Sequence, residues 1–335
     1  MNIGLIGYGY WGRNLLRNIM ENGCADQIWV CDQNEERLSE AKRLYAGIHV
    51  TTSWLQLIQI AKCEAIIIAT PTSSHFDIAK AALLHGKHVL VEKPMTTNIM
   101  EAEELIELAA SKGLVLMVDH TFLYNAVVRR IKEEISLNKL GQIYYIDSTR
   151  INLGLYQYDT NVLWDLACHD ISIINYLVSE KPSHVRAIGR VNKIWNTEDM
   201  AYLFLQYASG LLVQISASWA SPVKIRRMII GAEKKMMIYD DIEPTNKLII
   251  HDYETVLTNN SRAKNQVLAD YRLGNISIPK YEMEEPLKMM IADFFECICT
   301  GKEPVANSLS ALEVIQILQF AGQSLKEDGR IIALK

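Results

Sequence analysis

The chain has 335 residues, 49% of them hydrophobic and 22% charged, with a formal net charge of −5. That length and composition suit roughly two soluble domains with buried cores, and the acidic balance excludes a general nucleic-acid binder. No apolar run reaches the roughly 18 residues of a membrane helix. MNIGLIGYGY has no basic leader, so the chain is expected in the cytoplasm. The six cysteines form no C-x-x-C pair and no zinc spacing, so no metal is expected.

In chain order, short apolar runs at 3–6, 28–31, 65–69, 88–91 and 114–118, with a weaker one at 49–51, predict strands. Helical spacing at 13–22, 35–44, 75–85 and 100–111 separates them. Strands of continuous apolar residues alternating with helices predict a doubly wound α/β domain over residues 1–121. Beyond it the pattern changes. Helices are expected at 126–137 and 164–177, and strands at 143–151, 185–191, 201–207, 211–217, 226–230 and 236–239, with a hairpin turn at Ser209-Gly210. Strands in succession without helices between them predict an α+β domain over 122–335 with a large, mostly antiparallel open sheet. The polar stretch 258–279 reads as a loop. Two helical patterns, 287–300 and 309–327, close the chain, and the final helix is expected to pack back on the first domain.

GYGYWG at 7–12 follows a strand and opens a helix. Gly7 permits a tight turn, Gly9 lets a pyrophosphate approach the backbone, and Gly12 lets helix and strand pack closely. The helix start then offers free N–H groups to phosphate. Asp32 ends the second strand 20 residues after Gly12, where a carboxylate accepts hydrogen bonds from ribose hydroxyls and repels a 2′-phosphate. NAD is therefore preferred over NADP. Tyr10 and Trp11, inside the turn, join the cofactor-binding set.

ATPTSSHFDIAKAALLHGKHVLVEKP (69–94), with GYGYWG before it and WDLACHD (164–170) after it, resembles the glucose–fructose oxidoreductase and inositol dehydrogenase family, the Gfo/Idh/MocA oxidoreductases. With the domain order, the resemblance covers essentially the whole chain. It implies an N-terminal Rossmann domain and a C-terminal substrate domain. It also implies that Thr70, Pro71, His75, Glu92 and Lys93 line the cofactor cleft, with Lys93 touching cofactor and substrate. Asp119 departs from the small residue that relatives often carry there.

Asp165 and His169 are four residues apart on a helical pattern, hence on one face. Oxidation of an alcohol needs a group to take the hydroxyl proton, and histidine titrates near neutrality. The D-x-x-x-H spacing matches the family's catalytic pair, so Lys93, Asp165 and His169 form the expected catalytic set. Asp170 faces elsewhere on the helix. Trp164, the run RINLGLYQYDTN (150–161) with Asn152, and HTFLYN (120–125) are expected at the substrate pocket; Tyr124 either binds substrate or packs its ring.

The resemblance implies an NAD(P)-dependent oxidoreductase moving a hydride between nicotinamide and a secondary alcohol or ketone of a sugar, nucleotide-sugar or polyol. HTFLYN, RINLGLYQYD and WDLACHDI resemble the nucleotide-sugar branch. The alternative is a non-catalytic NAD(P)-binding regulator of the same fold. An open sheet with one unprotected face predicts a homodimer or homotetramer, as in relatives. The sequence leaves open which face is buried.

Overall fold

β1 (Asn2–Ile6), β2 (Gln27–Cys31), β3 (His49–Thr51), β4 (Ala65–Ile68), β5 (His88–Val91) and β6 (Leu116–Val118) form one parallel sheet in the order β3-β2-β1-β4-β5-β6. The computed structural model describes residues 1–60, 62–153, 160–194, 196–258 and 268–334. β4 is AIII, fully buried, as a central strand covered on both faces requires. The order reverses between β1 and β4, both of which leave the sheet towards the glycine turn, and such a switch point opens a crevice at the strand ends. Helices α1 (Tyr10–Asn22), α2 (Glu35–Leu44), α3 (Trp54–Ile58), α4 (His75–Leu84) and α5 (Ile99–Lys112) connect the strands. Asn34 starts α2, its side chain accepting from the N–H groups of Glu36 and Arg37. The five-residue α3 was not expected from sequence.

By its internal contacts the first unit comprises Met1–Asn125 and Glu284–Gln319, and the second Ala126–Met283 and Phe320–Lys335. The first thus takes in Glu284–Gln319, beyond the boundary at 121/122 read from the sequence.

In the second unit, α6 (Ala126–Ser136) and α7 (Cys168–Leu177) accompany a sheet of nine strands. These are β7 (Ile143–Ile151), β8 (His184–Asn192), β9 (Thr197–Gln206), β10 (Leu212–Ser218), β11 (Ile225–Ala232), β12 (Lys235–Asp240), β13 (Leu248–Thr258), β14 (Leu268–Ser277) and β15 (Ile332–Ala333). Their order is β14-β13-β12-β11-β7-β10-β9-β8-β15. Only the β7–β10 pairing is parallel; all others are antiparallel. Gly210 turns the β9–β10 hairpin at φ +90°. Part of 258–279, read as a loop, is instead the edge strand β14, paired with β13; residues 259–267 lie outside the described residues.

The sheet's two faces differ. Ile146, Leu203, Leu205, Val213, Ile215 and Ala217 are buried, while their alternates Tyr145, Tyr202 and Leu212 are 43%, 38% and 56% exposed. Period-two alternation therefore puts one face in the core and leaves the other open.

Candidate active site

The glycine turn is built by close backbone approach. Gly7 sits at φ +97°, and a Cβ there would lie 2.3 Å from the Ala69 carbonyl oxygen. A Cβ on Gly12 would lie 2.0 Å from the Gly7 carbonyl oxygen. At Gly9, the residue that starts α1, an added Cβ meets only Arg37, at 4.0 Å. The first and third glycines pack the turn, and the second leaves its backbone open.

Asp32 is fixed by that turn. Its Oδ2 accepts from Tyr8 N at 2.7 Å, its Oδ1 from Asn34 N at 2.8 Å, and Arg37 lies 3.4 Å from Oδ2. A cavity of about 860 Å³ opens here, lined by Gly7, Gly9, Asp32, Arg37, Trp54 and Thr70 among others. Its size and its open backbone beside a helix N-terminus fit a dinucleotide. Arg37, five residues past Asp32, puts a cation at the same spot.

Thr70 and Pro71, after β4, border this cavity. His75, 1% exposed, braces the floor: its ring nitrogens lie 2.9 Å from the carbonyl oxygens of Pro94 and Thr70. Burial holds its pKa below the usual value against those two bonds. His75 thus ties the turn after β4 to the one after β5. The Lys93–Pro94 bond is cis. Lys93 and Glu92 are half-buried.

Tyr10 is 86% exposed, and Trp11 donates its indole N–H to Asp119 Oδ2 at 2.7 Å. Tyr124 is 2% exposed and donates to Asp293 Oδ2 at 2.6 Å; its oxygen also lies 3.3 Å from Ala306 N. That bonding accounts for Tyr124 within the packing of the first unit.

In the second unit Asp165 falls in a π-helical turn, Leu163–Ala167, that leads into α7, where His169 stands. The wider turn keeps residues four apart on roughly one side. Asn161 starts it, its Oδ1 accepting from Leu163 N at 3.1 Å. Trp219, 0% exposed just past β10, donates its indole N–H to Asp165 Oδ2 at 2.9 Å. Trp164, Asp165 and His169 are half-buried, as is Asn152 at the end of β7. Residues 154–159 of the run 150–161 lie outside the described residues. Asp170 is a structural anion: Arg150 Nε meets its Oδ2 at 2.5 Å and Ser148 donates to its Oδ1 at 2.8 Å.

Sequence reading missed Trp219, and it named Asn161 only as the last residue of the run 150–161 expected at the substrate pocket, not as the cap of the turn. The signal for Asn161 was an asparagine just ahead of an apolar helical run; for Trp219 it was an indole at a strand end, which no local pattern links to Asp165. Among the described residues no cluster of three metal-ligating side chains occurs, and no helix is long and apolar enough to cross a membrane.

Residues 1–120 match the profile of an oxidoreductase family with an NAD-binding Rossmann fold, and residues 128–237 match the GFO/IDH/MocA C-terminal domain. Among known proteins, the chain is 30% identical over 248 residues to the UDP-N-acetylglucosamine 3-dehydrogenase of Acidithiobacillus ferrooxidans, covering 73% of this chain and 75% of that one. It is 23% identical over 323 residues to the scyllo-inositol 2-dehydrogenase (NAD(+)) of Bacillus subtilis, covering 93% and 88%. A solved structure of the Acidithiobacillus ferrooxidans enzyme superposes with a TM-score of 0.83 at 24% identity over 98% of each chain, a likeness of fold.

Proposed function

This chain belongs to the GFO/IDH/MocA oxidoreductase family, and we propose that it is an NAD-dependent dehydrogenase acting on a secondary alcohol of a nucleotide-linked sugar. The observation that carries the nucleotide half is the open backbone at Gly9 beside a pinned Asp32. The relative that acts on UDP-N-acetylglucosamine, matched over most of both chains, supports the sugar half; a free polyol is the second reading, supported by the inositol relative.

When bound, the nicotinamide supplies hydride acceptance and donation at its C4. The rest falls to the chain. Gly7, Gly9 and Gly12 shape the phosphate turn, and Asp32 takes the ribose hydroxyls. His169 removes the proton from the substrate hydroxyl as it is oxidised and returns it in the reverse direction. Asp165, whose Oδ2 Trp219 holds, orients the imidazole. Lys93 donates to the reacting oxygen and stabilises its developing charge. Asn152 and Trp164 line the substrate side.

Titration with NADH and NADPH, followed by turnover on UDP-sugars, inositols and hexoses, tests this reading. Turnover confined to UDP-sugars is expected; NADH binding without turnover on any of them overturns the substrate assignment. His169→Ala is expected to lose roughly 100-fold or more in kcat while keeping NADH affinity. A variant that turns over normally removes His169 from the chemistry.

The open sheet face, with Tyr145, Leu212 and Phe204 around a shallow groove of about 430 Å³, is proposed as the surface through which copies of the chain associate.

A further inference from the structure

We propose that Glu92 and Asp119 share one proton and act as a positioning pair, fixing Trp11 of the glycine turn and the backbone of Lys93 for nucleotide binding. The inference rests on the nucleotide reading above.

The register sets the pair up. Val91 of β5 faces Val118 of β6, and Asp119 N donates to Val91 O at 2.8 Å, so Glu92 and Asp119 leave adjacent strands side by side. Asp119 is 3% exposed. Its Oδ2 accepts from the Trp11 indole at 2.7 Å, and its Oδ1 from Thr121 N at 3.2 Å and from the Thr121 hydroxyl. Glu92 Oε2 accepts from Lys93 N at 3.0 Å, whereas Glu92 Oε1 is buried with no donor. A carboxylate beside it cannot donate. A proton on Glu92 meets both needs: it removes a buried charge and supplies Asp119 with another donor. Burial, then the Asp119 charge, hold the Glu92 carboxyl well above the usual range. Burial also raises Asp119, opposed by the bonds from Glu92 and Thr121. Asp119 already faces three donors and Glu92 only the N–H of Lys93, so the geometry puts the shared proton on Glu92.

The result is a chain of contacts, Trp11–Asp119–Glu92–Lys93, joining the phosphate turn to the strand end that carries the proposed catalytic lysine. The charged and titratable groups around it are Lys93 and His120. Lys93 acts on both carboxyls and on His120, which burial and then Lys93 pull down to about 4, so it is neutral at neutral pH. From the packed helix Pro286–Thr300, Met290 reaches Thr121 with an uncharged sulfur.

Ionising Glu92 puts a second carboxylate charge against Asp119, with Glu92 Oε1 buried and without a donor, and the pair must open. The test follows tryptophan emission of the nucleotide-free protein from about pH 6 to about pH 10, with NADH titrations along the same range. The wild type is expected to show an emission step as pH rises, with the NADH Kd rising through the same step. Glu92→Gln keeps a donor towards Asp119 but cannot ionise, so its emission and Kd are expected to lose that pH dependence. Trp11→Phe is expected to lose the emission step. Asp119→Asn, which cannot accept from every donor around it, is expected to weaken NADH about tenfold. A step that survives in Glu92→Gln or in Trp11→Phe overturns the pair, as does NADH affinity in Asp119→Asn equal to the wild type's. If the wild type binds neither NADH nor NADPH, the nucleotide reading falls with the pair's binding role, and the emission step still decides whether the pair exists.

Discussion

His75 and His120 are both buried, and their surroundings give them opposite lives. His75 has a carbonyl at each ring nitrogen; His120, 2% exposed, has a partner at neither. Burial with no compensating acceptor is why His120 falls to about 4. The unfolded chain binds that proton below about 6.5, while the folded chain does not bind it until about 4. Between those values the unfolded state holds more protons, so His120 drains stability as pH falls. His120→Gln is therefore expected to lose less stability than the wild type between pH 6.5 and 4, read from denaturant midpoints at each pH. Equal losses in the two proteins would show that His120 meets a partner in the folded state. Asp119 is the acceptor for Trp11 and Thr121; a small residue there would leave that indole to find another partner.

At the scale of elements, a buried ion pair fastens α7 to the sheet. Arg150 on β7 and Asp170 on α7 have side chains 3% and 5% exposed, at 2.5 Å. A buried pair adds little over apolar packing, but removing one member strands the other charge. Asp170→Ala is expected to cost about 3–5 kcal/mol, measured by chemical denaturation. Because His169 is the neighbouring residue, the same variant is expected to lower turnover by disturbing the helix. Stability within about 0.5 kcal/mol of the wild type would mean that Arg150 finds another acceptor. The π-helical turn ahead of α7 matters for the same reason. It sets where Asp165 projects, and Asn161 at one end with Trp219 alongside holds it there.

At the scale of the molecule, the open face of the nine-stranded sheet exposes Tyr145, Tyr202 and Leu212. Tyr145 lies opposite Leu212 on the next strand, and Leu212 opposite Gln206 on the one beyond, so exposed side chains line up in rows across β7, β10 and β9. Exposed apolar rows of this kind mark contact surfaces. Leu212→Glu, placed at a 56% exposed position, is expected to shift the protein towards monomer in sedimentation velocity without changing its unfolding midpoint. An unchanged oligomer would move the contact elsewhere.

The sequence by itself determined the alternation of strand and helix in the first unit, the glycine turn with Asp32, the strand that ends at Glu92-Lys93-Pro94, and the succession of strands in the second. These rest on local chemistry: apolar runs, glycine where backbones nearly touch, and proline. Tertiary structure decided the rest. A polar stretch such as 268–277 could be an edge strand because an edge needs hydrogen bonds on one side only. The parallel pairing of β7 with β10, and which sheet face is covered, depend on segments far apart in the chain. Trp11 meets Asp119 across 108 residues and Trp219 meets Asp165 across 54. No periodicity encodes such meetings, since each partner satisfies its own local pattern whether or not the other is there.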